Sequence, residues 1–366
     1  MMLKFNALNQ RRWNIFKANR RGFWSFWIFT VLFLVSLLAP IIANDRPILA
    51  SYKGELLFPT FIDYPEVKFG GFLAKTNYRD PVNLDEITAN GWMLWPPIHY
   101  SYNTTNTELP LPAPSPPAST LSADVACAKY PMKTADSQCA GGNMNWLGTD
   151  DQGRDVVARL IYGYRVSIAF GLILTFFSSI IGISAGAIQG YYGGWTDLLL
   201  QRFIDIWSST PTLYLLIIIA AFVTPTFWLL LSILVLFSWT GLVGLIRAEF
   251  FRARNFEYVR AARALGLSNS KIMFKHLLPN AMISAVTFMP FLIAGSVTTL
   301  TALDYLGFGL PPGSPSLGEL VSQGKNNIQA PWLGFTIFIL MSTLLTLLVF
   351  IGEAVRDALD PRKTFT

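Results

Sequence analysis

Six apolar blocks separated by polar segments organise the chain, at roughly residues 23–43, 166–189, 198–223, 228–246, 281–303 and 332–352. Each is close to the ~20 residues that a membrane-spanning helix needs. The third is the least uniform: Arg202 and Asp205 sit in its first turns, and its clean apolar run starts near Pro211. Three residues apart, the two charges share a helix face and can pair. They read as interfacial; a charge pair on a conduction path is the alternative, because intramembrane charges tend to be functional. The first block is longer than the apolar region of a cleaved signal peptide, and no small-residue cleavage site follows it. Pro40, at its end, suits a helix exit.

The 366 residues carry a formal charge of +6, yet only 14% are charged and 52% are apolar. A soluble domain typically carries about 25% charged residues. The composition excludes a disordered chain, and two cysteines exclude a disulfide-dense scaffold. Basic residues flank the apolar blocks instead of forming a stripe between aromatics, which argues against nucleic acid and for a role in setting orientation. With the N-terminus inside, seventeen Lys and Arg fall in the inside segments and only Lys325 in the short outside ones. This predicts six spans with both termini cytoplasmic, and residues 44–165 as one long outside segment. Residues 44–108 carry enough aromatics for a small lobe of short strands, and Leu109–Pro117 (LPLPAPSPP) reads as a polyproline-like linker. Cys127 and Cys139 both fall outside, where an oxidising compartment permits a disulfide; a pair of free thiols is the alternative. No metal site is expected, because neither His99 nor His276 lies near both cysteines in sequence.

Two motif matches fail on context. Gly182–Gly186 (GISAG) fits the G-x-S-x-G nucleophile elbow, but lies inside a predicted span instead of a strand-to-helix turn. Small-residue packing through Gly182, Gly186 and Gly190 is the better reading. Gly318–Asn326 (GELVSQGKN) has five residues between its glycines where a phosphate-binding loop has four, and ends in Asn. No catalytic residue and no nucleotide site is therefore expected in this chain. In the fifth block, Ser284, Thr287, Thr298 and Thr301 recur at helical offsets around Pro290. They could line a translocation path or serve as hydrogen-bonding glue between helices. Asp150, Asp151, Arg154, Asp155 and Arg159 precede the second block and read as a solvated, salt-bridged pre-helix, with an outer gate or a binding-protein contact as the alternative.

The polar segment 247–280 carries the most information. Residues Phe256–Leu265 predict a short helix with Tyr258, Ala261, Ala262 and Leu265 on one face. Gly266 is a natural C′ stop, Ser268 an N-cap for a second helix over Asn269–Leu278, and Pro279 its end. Ringed by Lys and Arg, this helix–turn–helix either lies on anionic lipid or docks a cytoplasmic partner. The residues alone leave both open.

The spacing Ala261-Ala262-x3-Gly266, then x11 and Leu278-Pro279, resembles the EAA loop of ABC importer permeases. Leu147–Ser167 (LGTDDQGRDVVARLIYGYRVS), Gly190–Asp197 (GYYGGWTD), Leu306–Leu310 (LGFGL) and Gly352–Pro361 (GEAVRDALDP) resemble the C-type subunit of the dipeptide/oligopeptide subfamily. Asn19–Phe29 (NRRGFWSFWIF), Gly91–Pro97 (GWMLWPP) and Pro311–Asn327 (PPGSPSLGELVSQGKNN) narrow the resemblance to Yej-type importers, which take up peptides and the peptide-nucleotide microcin C.

The resemblance implies an all-α polytopic membrane protein with the type I ABC importer transmembrane fold. Its divisions would be a cytoplasmic segment (1–22), a first span (23–43), a periplasmic insert (44–150), a permease core with five spans (151–358) and a cytoplasmic tail (359–366). It implies that Phe256, Tyr258, Arg260, Ala261, Ala262, Leu265, Gly266, Leu278 and Pro279 form the ATPase-coupling loop, with Arg260 standing where the family has a leading Glu. His276 reads as helix packing. The implied setting is the bacterial inner membrane. The implied partners are a second permease, one or two cytoplasmic ATPase subunits that hold ATP and Mg, and a periplasmic peptide-binding protein. The chain itself would carry no cofactor. Two rivals from other classes are an intramembrane hydrolase using Ser184 and a proton-coupled carrier using Asp205 or Asp304.

Overall fold

The computed structural model describes residues 7–107, 109–121 and 145–360. Helix α1 (Ala7–Ala18) meets α2 (Arg20–Leu37) at Asn19, whose side-chain oxygen accepts from the Gly22 N–H at 3.2 Å and caps α2. After Leu38 comes a short helix, α3 (Ala39–Ile42), with Pro40 in its first turn. Pro40 therefore opens a helix instead of closing the span, since its missing N–H costs nothing in a first turn.

The insert holds an antiparallel sheet of order β2-β1-β3, from β1 (Leu49–Tyr52), β2 (Glu55–Leu57) and β3 (Gly91–Leu94). Helix α4 (Pro81–Ala89) covers one face, and Ala50, Tyr52, Leu57, Phe69, Tyr78 and Ile87 form the core. Glu66 ties the lobe together, accepting from Asn83 Nδ2 at 2.6 Å and from the N–H groups of Phe72 and Leu73 at 3.1 and 3.0 Å. These donors hold its carboxyl below the usual range, Asn83 contributing most.

The proline-rich run is not a free linker. Ser115 donates its N–H to Thr149 Oγ1 at 2.8 Å and accepts from the Thr149 N–H at 2.9 Å, and Leu109 and Ser115 are buried. A polyproline-like strand has no internal hydrogen bonds, so its carbonyls are open to a neighbouring segment. Cys127 and Cys139 lie outside the described residues.

The core consists of α5 (Val156–Tyr192), α6 (Gly194–Ser208), α7 (Thr212–Phe222), α8 (Phe227–Ser238), α9 (Thr240–Ala253), α10 (Glu257–Ala264), α11 (Asn269–Lys271), a π turn (Ile272–Leu277), α12 (Leu278–Tyr305), α13 (Leu317–Asn326) and α14 (Pro331–Leu359). Five segments are long and apolar enough to cross a membrane: Arg20–Leu37, Val156–Tyr192, Phe227–Ala253, Asn269–Tyr305 and Pro331–Leu359. The sixth expected span is a pair, α6 and α7, bent by 58° at Ser209–Pro211. Arg202 and Asp205 pair at 3.5 Å on exposed α6. The second span starts at Val156 instead of near 166, because Asp155 is its N-cap, accepting from the Ala158 N–H at 2.8 Å.

Close packing of α5 on α9 depends on a glycine stripe. A Cβ at Gly182 would sit 2.4 Å from the Trp239 carbonyl oxygen, one at Gly186 2.7 Å from that of Val243, and one at Gly190 2.6 Å from that of Arg247. The backbones approach where no side chain intervenes, as the small-residue spacing predicts.

Candidate functional site

At one end of the bundle, α9 ends at Ala253 and the chain turns into α10. The expected face of α10 divides in two. Val259 and Ala262 are buried in a cluster with Tyr191, Ile246, Phe250 and Ile272, whereas Tyr258, Ala261 and Leu265 are exposed, Leu265 to 82%. At 100° per residue, Ala262 lies on the border next to Val259, so the bundle claims it. Val259 is the inward residue that the periodicity does not single out. Phe256 and Arg260 are also exposed.

The turn forms as predicted. Gly266 has φ +76°, the Leu267 N–H donates to the Ala262 carbonyl at 3.2 Å, and the Gly266 N–H to that of Arg263 at 3.0 Å. This is the paired pattern of a Schellman stop, with glycine at the left-handed position. Ser268 occupies the N-cap position of α11, but its side chain makes no capping bond. The second helix does not end at Pro279. It widens into the π turn and continues into α12, with Pro279 in the first turn. The wider turn accommodates the ring, which would otherwise meet the carbonyl of residue 275. Leu278 is half-buried against the cluster, Pro279 is exposed and His276 is half-buried.

Three polar ties fix this loop to the bundle. Tyr191 donates its hydroxyl to Asn269 Oδ1 at 2.7 Å, Arg254 reaches the Gly190 and Tyr191 carbonyls at 3.3 Å, and Arg247 Nη2 meets Asp197 Oδ2 at 2.7 Å. The result is a helix held rigidly on its inner face and bare on its outer one.

The hydroxyls of the fifth block do not converge. Ser284 donates to Glu249 Oε1 at 3.1 Å and, with Thr287, lines a cleft of about 540 Å³ that Leu245, Phe288, Phe291 and Arg356 share. Thr287, Thr298 and Thr301 donate to the carbonyls of Ile283, Ala294 and Val297, one turn back. Thr298 is exposed and Thr301 half-buried further along the helix. Ser184 donates to the Ile180 carbonyl of its own helix at 2.7 Å. Among the described residues, no group of three or more His, Cys, Asp or Glu could hold a metal ion.

At the other end, the charges around the start of α5 are not a solvated pre-helix, the exposed Asp151 apart. Asp150, Arg154, Asp155 and Arg159 are all buried. Arg154 Nε meets Asp150 Oδ2 at 2.6 Å, while Arg154 Nη2 and Arg159 Nη2 meet the two oxygens of Glu319 at 2.7 Å each. Asp155 takes no part in these ion pairs: it caps α5, accepting from the Ala158 N–H, and accepts from Asn145 Nδ2, both at 2.8 Å. Burial pushes the Asp155 carboxyl up to about 6. Asp304 likewise serves the fold, accepting from Ser316 Oγ and the Leu310 N–H, both at 2.7 Å.

The sequence profile of the family described as binding-protein-dependent transport system inner membrane component matches residues 161–365. The chain belongs to this family. A second profile, the N-terminal TM domain of oligopeptide transport permease C, matches residues 8–57. The chain is 64% identical over 361 residues to the "Peptidoglycan transport system permease protein YejE" of Agrobacterium fabrum, covering 99% of this chain and 95% of that one. It is 52% identical to the "Inner membrane ABC transporter permease protein YejE" of Escherichia coli, over 99% of each chain. To the "Oligopeptide transport system permease protein OppC" of Lactococcus lactis it is 34% identical, over 60% of this chain and 76% of that one. The C-type and Yej-type resemblances therefore hold, and with them the type I importer fold. As an ABC importer permease, the chain is a non-catalytic membrane component of a system that includes an ATPase and a substrate-binding protein.

Proposed function

We propose that this permease carries peptides, including conjugates of the microcin C kind, across the bacterial inner membrane, and takes its energy from a separate ATPase through α10. The observation that carries this reading is the two-sided α10: Val259 and Ala262 are locked into the bundle, while Tyr258, Ala261 and Leu265 present an unpartnered apolar face at the chain's most basic loop. The likeness to the oligopeptide transport permease of Lactococcus lactis supports the substrate class. In this reading both termini and residues 247–280 are cytoplasmic and the insert is periplasmic. Phe256, Tyr258, Arg260, Ala261 and Leu265 contact the ATPase, Gly266 sets the angle of α10, and Leu278 and Pro279 carry its movement into α12. A second permease completes the path, which Ser284 and Thr287 line at the loop end and Thr298 and Thr301 further along. ATP and Mg are bound by the partner, and a periplasmic binding protein delivers the peptide.

The test is affinity purification of the detergent-solubilised chain, with the co-purified proteins identified and ATPase activity assayed. Recovery of an ATPase and a second permease, lost when Ala261 is replaced by Trp, is the expected result. Uptake of labelled peptide that survives ATP depletion but collapses with an uncoupler would overturn it in favour of a proton-coupled carrier.

A further inference from the structure

We propose that the elbow between α1 and α2 binds anionic phospholipid headgroups. The chain has no acidic residue before Asp45, yet carries Arg11, Arg12, Lys17, Arg20 and Arg21 in and between these two helices. Among the described residues, none of the five has a carboxylate within salt-bridge distance. Arg11, Lys17, Arg20 and Arg21 are exposed, and Arg12 keeps a buried Nε that has no hydrogen-bond partner. Arg20 and Arg21 occupy the first turn of α2, where no acidic residue stands. That is the positive end of the helix dipole, and α2 itself places no acidic side chain there. An external anion would relieve both the repulsion among five cations and their clash with the dipole.

The occupant is a lipid because of what borders the cations. Trp13, Trp24 and Trp27 are exposed at 41%, 62% and 44%, and Lys17 lies over the Trp13 ring at 5.4 Å. Indoles favour the headgroup level of a bilayer. Beyond them α2 shows only apolar side chains outward, among them Val31, Leu32, Leu34 and Val35. Cationic rim, indole collar and apolar flank thus follow in the order of phosphate, glycerol and acyl chain. The elbow is also preformed. Gly22 seats against α14, where a Cβ would lie 2.0 Å from Ala354 Cβ, and Phe16 packs on Ala354 and Ala358. A soluble protein partner would leave the indoles and the apolar flank without a matching surface.

The test is native mass spectrometry of the full chain, purified in detergent and equilibrated with equimolar phosphatidylglycerol and phosphatidylcholine. The wild-type chain should retain phosphatidylglycerol in preference. The double variant Arg11→Gln/Lys17→Gln, which leaves α2 and its orienting charges intact, should lower that preference about thirtyfold, at roughly 1 kcal/mol for each of the two cations removed. The charge-conserving Arg11→Lys/Lys17→Arg should keep it. Equal retention of both lipids by the wild type, or an unchanged preference in the Gln variant, would overturn the proposal. So would loss of the preference in excess inorganic phosphate, since that would mark a general anion site.

Discussion

Arg159 and Glu319 stand 160 positions apart and meet at 2.7 Å, with the arginine side chain wholly buried. The pair, extended by Arg154 and Asp150, joins the start of α5 to α13 and sits where the insert returns to the bundle. Two arginines therefore share two carboxylates, with Asp150 and both arginines buried and Glu319 about a quarter exposed. Removing one carboxylate leaves buried positive charge without compensation.

Glu319→Ala should accordingly destabilise the chain by about 3 kcal/mol or more, the range for breaking a buried ion pair. Glu319→Gln should cost less, since its amide oxygen still accepts from one arginine. Thermal unfolding in nanodiscs would show the order wild type, Gln, Ala. Equal midpoints for all three would remove the network from the account of how the insert end is held.

The glycine stripe makes a paired prediction. Gly186→Ala places a methyl 2.7 Å from the Val243 carbonyl oxygen and 2.9 Å from Ile246 Cβ, so α5 and α9 must separate. The expected cost is about 1–3 kcal/mol. A methyl added at Gly244, on α9, would have no other heavy atom within 4 Å beyond its own helix backbone and chain neighbours. Gly244→Ala should be neutral or stabilise by up to about 1 kcal/mol through helix propensity. Comparing the two variants by thermal unfolding separates backbone approach from a general intolerance of change in the bundle.

Asp155 predicts a pH dependence with a definite sign. Its folded value, about 6, lies above the ordinary carboxylate range because burial penalises the charged form. Between about pH 4 and 6 the folded chain therefore binds more protons here than the unfolded one. Stability from this group is present at the acid end and declines as pH rises through 6. Asp155→Asn keeps an oxygen for the Ala158 N–H and removes the titration. Its stability curve, measured by unfolding from pH 4 to 7, should be flatter than the wild type's over that window.

The spans are legible in the sequence because apolar length is a composition signal that survives without tertiary context. The bend at Ser209–Pro211 is foreshadowed by Arg202, Asp205 and Pro211 interrupting the third block. The Gly266 stop is legible because a local rule governs it. Local rules do not reach the rest. The ion network needs Glu319, which nothing in the 147–167 motif announces, and the burial of those charges depends on the insert folding over them. The π turn is hidden because Pro279 has one meaning as a terminator and another in the first turn of α12. The proline-rich run misleads because its composition fits a linker equally well when its backbone is paired.

The two-sided α10 separates folding from coupling. Leu265 is 82% exposed, so Leu265→Asp adds a charge where nothing in the chain is disturbed, whereas Val259→Asp buries a carboxylate among Phe250, Ile272 and their neighbours. Val259→Asp should therefore lose folded protein altogether, since an unpaired buried charge is among the costliest of changes. Leu265→Asp should express, insert and melt as the wild type does, yet fail to retain the ATPase and lose most peptide uptake. Gly266→Ala should fall between them: φ +76° strains a residue with a Cβ by about 1–2 kcal/mol, tilting or fraying α10 without emptying the core. The measurements are uptake of a labelled peptide and ATPase retention on purification, each normalised to membrane-inserted protein. If Leu265→Asp transports normally, the bare face of α10 is not where energy enters this permease.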